Sequence, residues 1–165
     1  MGRRATKARE NVWYQARIEA SEWNERLSSR EGAAEALHMS VDAVTDAELG
    51  LSKVMPVDKA VLMADLYNKP SLLNYYCLHE CPIGRGLPIS DEVPDIDRVT
   101  IELVNNLRAD RIDRLVKCLL DIAQDGNVND DELRDVREVV DYLRRISVLT
   151  SKLENLCKEE ERGQG

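Results

Sequence analysis

Apolar residues recur along most of this chain with the spacing of helices that each bury one face. The first ten residues are polar and basic and have no such period, which predicts an arm over residues 1–10. Ala16, Ala20, Trp23 and Leu27 then follow i, i+4, i+7 and i+11, predicting a first helix from about Asn11 to Leu27 with those residues inward. Ser28 and Ser29 end it, and Ser28 with Glu31 has the spacing of a capping box for a short second helix, about Arg30 to Leu37. Ser40 is the next N-cap, Asp42 suits the first turn of a third helix from about Val41 to Leu49, and Gly50 stops it. Pro56 opens a fourth helix with Val57, Ala60, Val61 and Ala64 inward, and Pro70 opens a fifth that runs to about Leu78.

The period then lapses. CPIGRGLPISDEVP carries prolines and glycines without a helical repeat, and residues 79–95 are expected to form a linker. Beyond it, Ile96, Val99, Leu103 and Leu107 make one amphipathic set and Ile112, Leu115, Leu119 and Ile122 another, out of phase near Ala109: two helices, or one kinked. After QDGNVNDDE, a long helix from about Asp130 to Lys158 alternates Val139, Leu143, Ile146, Thr150, Leu153 and Cys157 by fours and threes, the stripe of helices that pack at shallow angles. Residues 96–160 are thus expected to be a helical association domain, a hairpin or small bundle, with 161–165 as a tail.

Composition agrees with an all-α chain: 165 residues hold 8 Gly, 5 Pro and no Phe, with few strand-like runs. No apolar run reaches the ~20 residues of a membrane span, and MGRRATKARE leads into no apolar signal segment, so a cytoplasmic protein is expected. The four cysteines then read as reduced thiols. A net charge of −8 argues against indiscriminate nucleic-acid binding, but its distribution is uneven. Residues 1–30 hold seven Lys/Arg against four Glu, whereas 31–77 hold three against seven and 78–165 thirteen against twenty. Attraction to phosphates has to draw on the N-terminal segment.

Ser29 and Arg30, the small pair Ala33 and Ala34, then Leu37, Met39 and Ser40, Val44, Glu48, Gly50 and Pro56 stand in the order and spacing of a known motif. Over about residues 11–78 the chain resembles the Cro/repressor (xenobiotic-response-element) family of helix-turn-helix regulators. Two helices that cross steeply need small residues at the contact and a tight turn between them, which is what this spacing provides. The resemblance implies a lambda-repressor-like five-helix DNA-binding domain over 11–78. It further implies a transcriptional regulator that occupies double-stranded DNA, is expected to be a homodimer, and has its second motif helix in the major groove. The residues so assigned to DNA are Arg30, Ser40, Val41, Asp42, Thr45 and Asp46, with Lys53 and, in the arm, Arg3 and Arg4. His38 stands where the family has Gly in the turn, and the exposed positions of the reading helix carry Asp42 and Asp46 but no Lys or Arg. The competing expectation is the same fold used as a protein-interaction module.

Two other constellations carry metal chemistry on paper. Cys77, His79 and Cys81 are zinc-ligand types at close spacing, yet a structural site wants four ligands. Asp121, Asp125 and Glu132, with Gly126, follow a calcium-loop spacing that Ala123 breaks at the third position. No metal or other cofactor is expected, and the absence of a nucleophile-elbow or phosphate-loop pattern argues against an enzyme.

Overall fold

The computed structural model describes residues 8–51, 55–124 and 128–163. Among them the chain forms eight α-helices and no strand, so the protein is all-α. It divides into two compact units, one formed by Met1–Leu87 with Lys158–Gly165 and the other by Pro88–Cys157.

In the first unit, α1 (Val12–Ala20) starts at Asn11, whose Oδ1 accepts from the backbone N–H of Trp13 and Tyr14. The helix stops earlier than its apolar period suggests. Ser21–Trp23 turn away, leaving Trp23 59% exposed, and a 3₁₀ turn over Glu25–Ser28 swings Leu27 back to full burial. Because Ser28 is consumed in that turn, Ser29 rather than Ser28 caps α2 (Arg30–Leu37), accepting from the N–H of Gly32 at 3.0 Å. An added Cβ on Gly32 would meet the Arg26 carbonyl oxygen at 1.9 Å, so only glycine lets the turn lie this close to the helix.

His38 follows with φ 52° and ψ 42°, the left-handed conformation that closes α2. Ser40 caps α3 (Val41–Leu49) through Ala43 N–H, and Gly50 at φ 63° ends it. α4 (Val57–Leu66) buries Ala60, Met63, Ala64 and Tyr67, whereas Val57 and Val61 face outward. The i, i+3, i+4, i+7 set that includes the large Met63 and Tyr67 fills more of the core than the valines would. α5 (Ser71–Tyr75) is shorter than predicted, because from Tyr76 to Glu80 the chain widens into a π turn, followed by a 3₁₀ turn at Gly84–Gly86 inside the expected linker. Trp13, Ala16, Leu27, Ala33, Leu37, Val44, Met63 and Leu72 form one continuous core.

The second unit contains α6 (Ile96–Asn106), α7 (Ala109–Ile122) and the larger part of α8 (Asp130–Gly163). The expected stripe on α8 is only partly inward. Val139 is buried, but Leu143, Thr150 and Cys157 are exposed, and the buried face runs instead through Tyr142, Leu149, Ser151, Lys152 and Asn155. The cause is polar. Asn155 Nδ2 donates to the carbonyls of Ser90 and Glu92 at 2.8 and 3.1 Å, and the Ser90 N–H donates to Ser151 Oγ at 3.1 Å. Lys152 Nζ lies 2.8 Å from Glu92 and 3.0 Å from Glu102. An irregular segment is thereby pinned to a helix by side chains whose burial no apolar period foretells. Val99 is the buried residue of α6, while Ile96 and Leu107 are exposed and α7 has no buried residue.

Candidate nucleic-acid interface

The arrangement of α2 and α3 begins with what they bury. Ala33, Ala34, Leu37, Val44, Ala47 and Glu48 are all inaccessible, so the opposite faces are fixed at the surface. Ser40, Val41, Asp42 and Asp46 are exposed and Thr45 is half-buried. These five positions, Ser40 to Asp46, line one side of the start of α3 and are held by the Ser40 cap and the left-handed His38.

The orientation of α3 is set by an ion pair. Arg17, in α1, donates from Nε and Nη2 to the two carboxylate oxygens of Glu48, and its Nη1 donates to the Leu27 carbonyl at 2.7 Å. Burial, the largest influence on Arg17, pulls its pKa down, but the hydrogen bond and charge of Glu48 outweigh it and the net shift is upward. Asn11 Nδ2 adds a bond to the Ala47 carbonyl at 3.1 Å. α3 is therefore tied to α1 at its C-terminal end, and its N-terminal face is left free.

Arg30 does not project freely as its assignment to phosphate contact expects. Its Nε donates to Glu48 Oε2 at 2.6 Å and its side chain is 30% exposed, so the second basic partner of the buried carboxylate is the residue expected to grip DNA. Lys53, Arg3 and Arg4 lie outside the described residues. A cleft of about 610 Å³ opens beside Arg30, lined by Arg9, Tyr14, Arg17, Ser28 and Leu49, with Glu31 the one carboxylate among them. Arg17 and Arg9 carry no motif signal. Arg17 reads in the sequence as one more charge of the basic segment, and only a partner 31 positions away reveals its role.

The cysteine constellation has a packing role. Trp13 Nε1 donates to Glu80 at 2.8 Å, Trp13 and Tyr75 meet edge to face at 6.2 Å, and the rings of Tyr75 and His79 lie 4.5 Å apart. Tyr76 donates to the Met55 carbonyl at 3.0 Å, and Cys77 and Cys81 are half-buried against the same core. The YYCLHE segment thus holds the π turn against α1. At the acidic turn Glu132 is committed elsewhere: it accepts from the Asn129 N–H at 2.9 Å while Asn129 Oδ1 accepts from the Asp131 and Glu132 N–H, a reciprocal cap on α8. Asp121 is exposed on α7, and Asp125 lies outside the described residues. Among the described residues no three His, Cys, Asp or Glu side chains gather in a metal-holding group, and no helix is long and apolar enough to cross a membrane. Comparison with protein-family models, with curated proteins and with solved structures finds no match.

Proposed function

We propose that this chain is a sequence-specific DNA-binding transcriptional regulator with a lambda-repressor-like five-helix domain, and that it acts as a homodimer by occupying an operator. The observation that carries this reading is the pairing of α2 and α3 across the three-residue turn His38–Ser40, which opens on the left-handed His38, with Ser40, Val41, Asp42, Thr45 and Asp46 all on the accessible side of α3. A helix presented in this way fits a major groove. Val41 and the Thr45 methyl suit a thymine methyl, and Asp42 suits the amino group of cytosine. Phosphate attraction comes from Lys53 and the basic N-terminal segment, including Arg3, Arg4 and Arg9, with Arg9 and the free part of Arg30 beside the cleft.

Selection of duplexes from a random pool by the full chain, followed by binding measurements at several salt concentrations, tests this reading. The expected result is an enriched motif bound at least about 10³-fold more tightly than random duplex. Thr45→Ala should relax that preference more than it lowers non-specific affinity. No enrichment at moderate salt would remove the proposal.

One observation favours a second reading, a helix-turn-helix fold used as a protein-interaction module. The accessible side of α3 carries two carboxylates, and Arg30, the cation that precedes it in sequence, is already paired with Glu48. On that reading the partner is a basic protein surface and the chain enriches no duplex.

A further inference from the structure

Within the second unit a cleft of about 860 Å³ opens between α7 and α8, a volume in the range of small-molecule sites. Its apolar lining is the half-buried Leu115 with the buried Val139 and Tyr142. Tyr142 is fixed in place. Its hydroxyl donates to the Asn106 carbonyl at 2.8 Å, and the Arg111 guanidinium lies over its ring, 4.8 Å from the centre.

The charges of the cleft are sorted along its length. Arg111 meets Tyr142 in one half, and seven residues further along α7 Cys118 marks the other. Burial first, then the charges of Asp135, Asp121 and Glu138, push the Cys118 thiol up, which places the carboxylates of α8 in that half. Asp135 precedes Tyr142 by seven residues too, so α7 and α8 run antiparallel with their two ends in register. In the Tyr142 half the lining holds Arg108, Arg111, Arg114 and Arg145 against Asp110 and Asp141; in the Cys118 half it holds Asp135 and Glu138 and no cation. Arg108 and Arg114 are taken up by Asp110, at 3.0 and 3.6 Å. Among the described residues Arg111 and Arg145 have no carboxylate partner, Asp135 and Glu138 have no basic one, and no ion pair joins the two walls. Nor do Asp135, Glu138 and Cys118 converge as a metal-holding group.

A ligand that satisfies both halves carries a negative end and a positive end. Seven residues of helix span about 10 Å, the length of about three residues of extended peptide. We propose that this cleft binds a short peptide with free termini, its carboxylate on Arg111 and Arg145, its ammonium on Asp135 and Glu138, and its side chains over Leu115 and Val139. The guanidinium fork matches a carboxylate, and an ammonium has three donors to divide between two carboxylates. The adjacent charges of a single amino acid cannot reach both halves. An inorganic anion would satisfy only one.

Equilibrium dialysis of the full chain against a pool of tripeptides with free termini, with retained peptides identified by mass spectrometry, tests the proposal. Members of the pool should be retained with a Kd below about 1 mM. Amidating the carboxyl end of a retained peptide, or acetylating its amino end, should each weaken binding at least about tenfold. Arg145→Met and Glu138→Gln change exposed positions without an ion pair, and circular dichroism checks that their helices persist. Arg145→Met should lose most of the distinction between the peptide and its amide, and Glu138→Gln most of that between the peptide and its acetylated form. Should either variant fail to fold, the two blocked peptides carry the test on the native chain. Retention of no member of the pool would overturn the assignment, as would a peptide that binds equally well when either end is blocked. A peptide whose binding survives both substitutions would overturn it as well, by moving the site elsewhere. Because no DNA is present, failure here is separate from failure to enrich a duplex.

Discussion

Arg17 and Glu48 meet through two parallel hydrogen bonds with 3% and 0% of their side chains exposed, and this one contact joins the first helix to the end of the helix proposed to read DNA. Neither charge reaches water, so each depends on the other for the solvation it has lost. Arg30 completes the set at the surface.

Removing one partner should therefore cost far more than removing both. Arg17→Met or Glu48→Gln is expected to destabilise the chain by about 3–5 kcal/mol, part of the Arg17 loss coming from the orphaned Leu27 carbonyl. Arg17→Met with Glu48→Met should recover much of that loss, because Arg30, 30% exposed, can be rehydrated. Urea unfolding followed by circular dichroism measures all three. Single variants that lose less than about 1 kcal/mol would show that the pair is not as dry as its geometry implies.

How much of this was legible in the sequence depends on whether the cause is local. Ser40, His38 and Gly50 announce their caps and turn because the conformations they take are decided within four residues. The all-helical class follows for the same reason. Trp23 and Val61 mislead because an apolar side chain obeys the helical period only while the helix continues and only if its neighbours leave it room. Ser151, Lys152 and Asn155 lie inward because Ser90 and Glu92 offer them partners about 60 residues away, and Arg30 turns inward because Glu48 is buried beside it. Pairings between charges distant in the chain leave no periodic trace.

Tyr67 tests the same buried region from its neutral side. Its hydroxyl is inaccessible and has no hydrogen-bond partner among the described residues, and burial first, then the charge of Glu48, hold the phenol well above its ordinary pKa while Arg17 opposes them. A buried donor without a partner costs about 1–3 kcal/mol. Tyr67→Phe should thus keep stability or raise it within that range, as read from the midpoint of thermal unfolding. A loss above about 1 kcal/mol would mean that the hydroxyl is satisfied in solution.

In the second unit, stability should depend on pH through Glu102 and Lys152. The hydrogen bond from Lys152 is the largest influence on Glu102, and with the charges of Lys152 and Arg98 it outweighs burial and lowers the carboxylate pKa. A carboxylate lowered on folding adds stability that is fully present above its unfolded value of about 4.3 and is lost as pH falls through the folded value. Lys152, raised by its bond to Glu92 and then Glu102 against burial, contributes in the opposite sense: its share is present below about 10.4 and is lost as pH rises through the folded value. Glu102→Gln should flatten the acid limb of a melting-temperature profile taken from about pH 6 down to about pH 3. An unchanged acid limb would assign the acid sensitivity to other carboxylates.

The sharpest test of the proposed function lies in the two carboxylates on the accessible side of α3. Asp42 and Asp46 are exposed, so changing each to Asn removes charge without disturbing a core or an ion pair, and stability should fall by no more than about 1 kcal/mol, from the loss of the Asp42 charge in the first turn of the helix. If α3 enters a groove, both carboxylates stand in the field of the phosphates, and neutralising them should tighten binding to every duplex, most at low salt where screening is weakest. Asp42→Asn should in addition change which base is preferred at one position, because a carboxylate accepts from cytosine whereas an amide pairs with adenine. Gel shifts on the selected and random duplexes at two salt concentrations distinguish the two effects. If α3 instead docks on a basic protein surface, the same double substitution should weaken that complex and leave duplex binding flat. The direction of the change therefore separates a DNA reader from an interaction module, even before an operator is known.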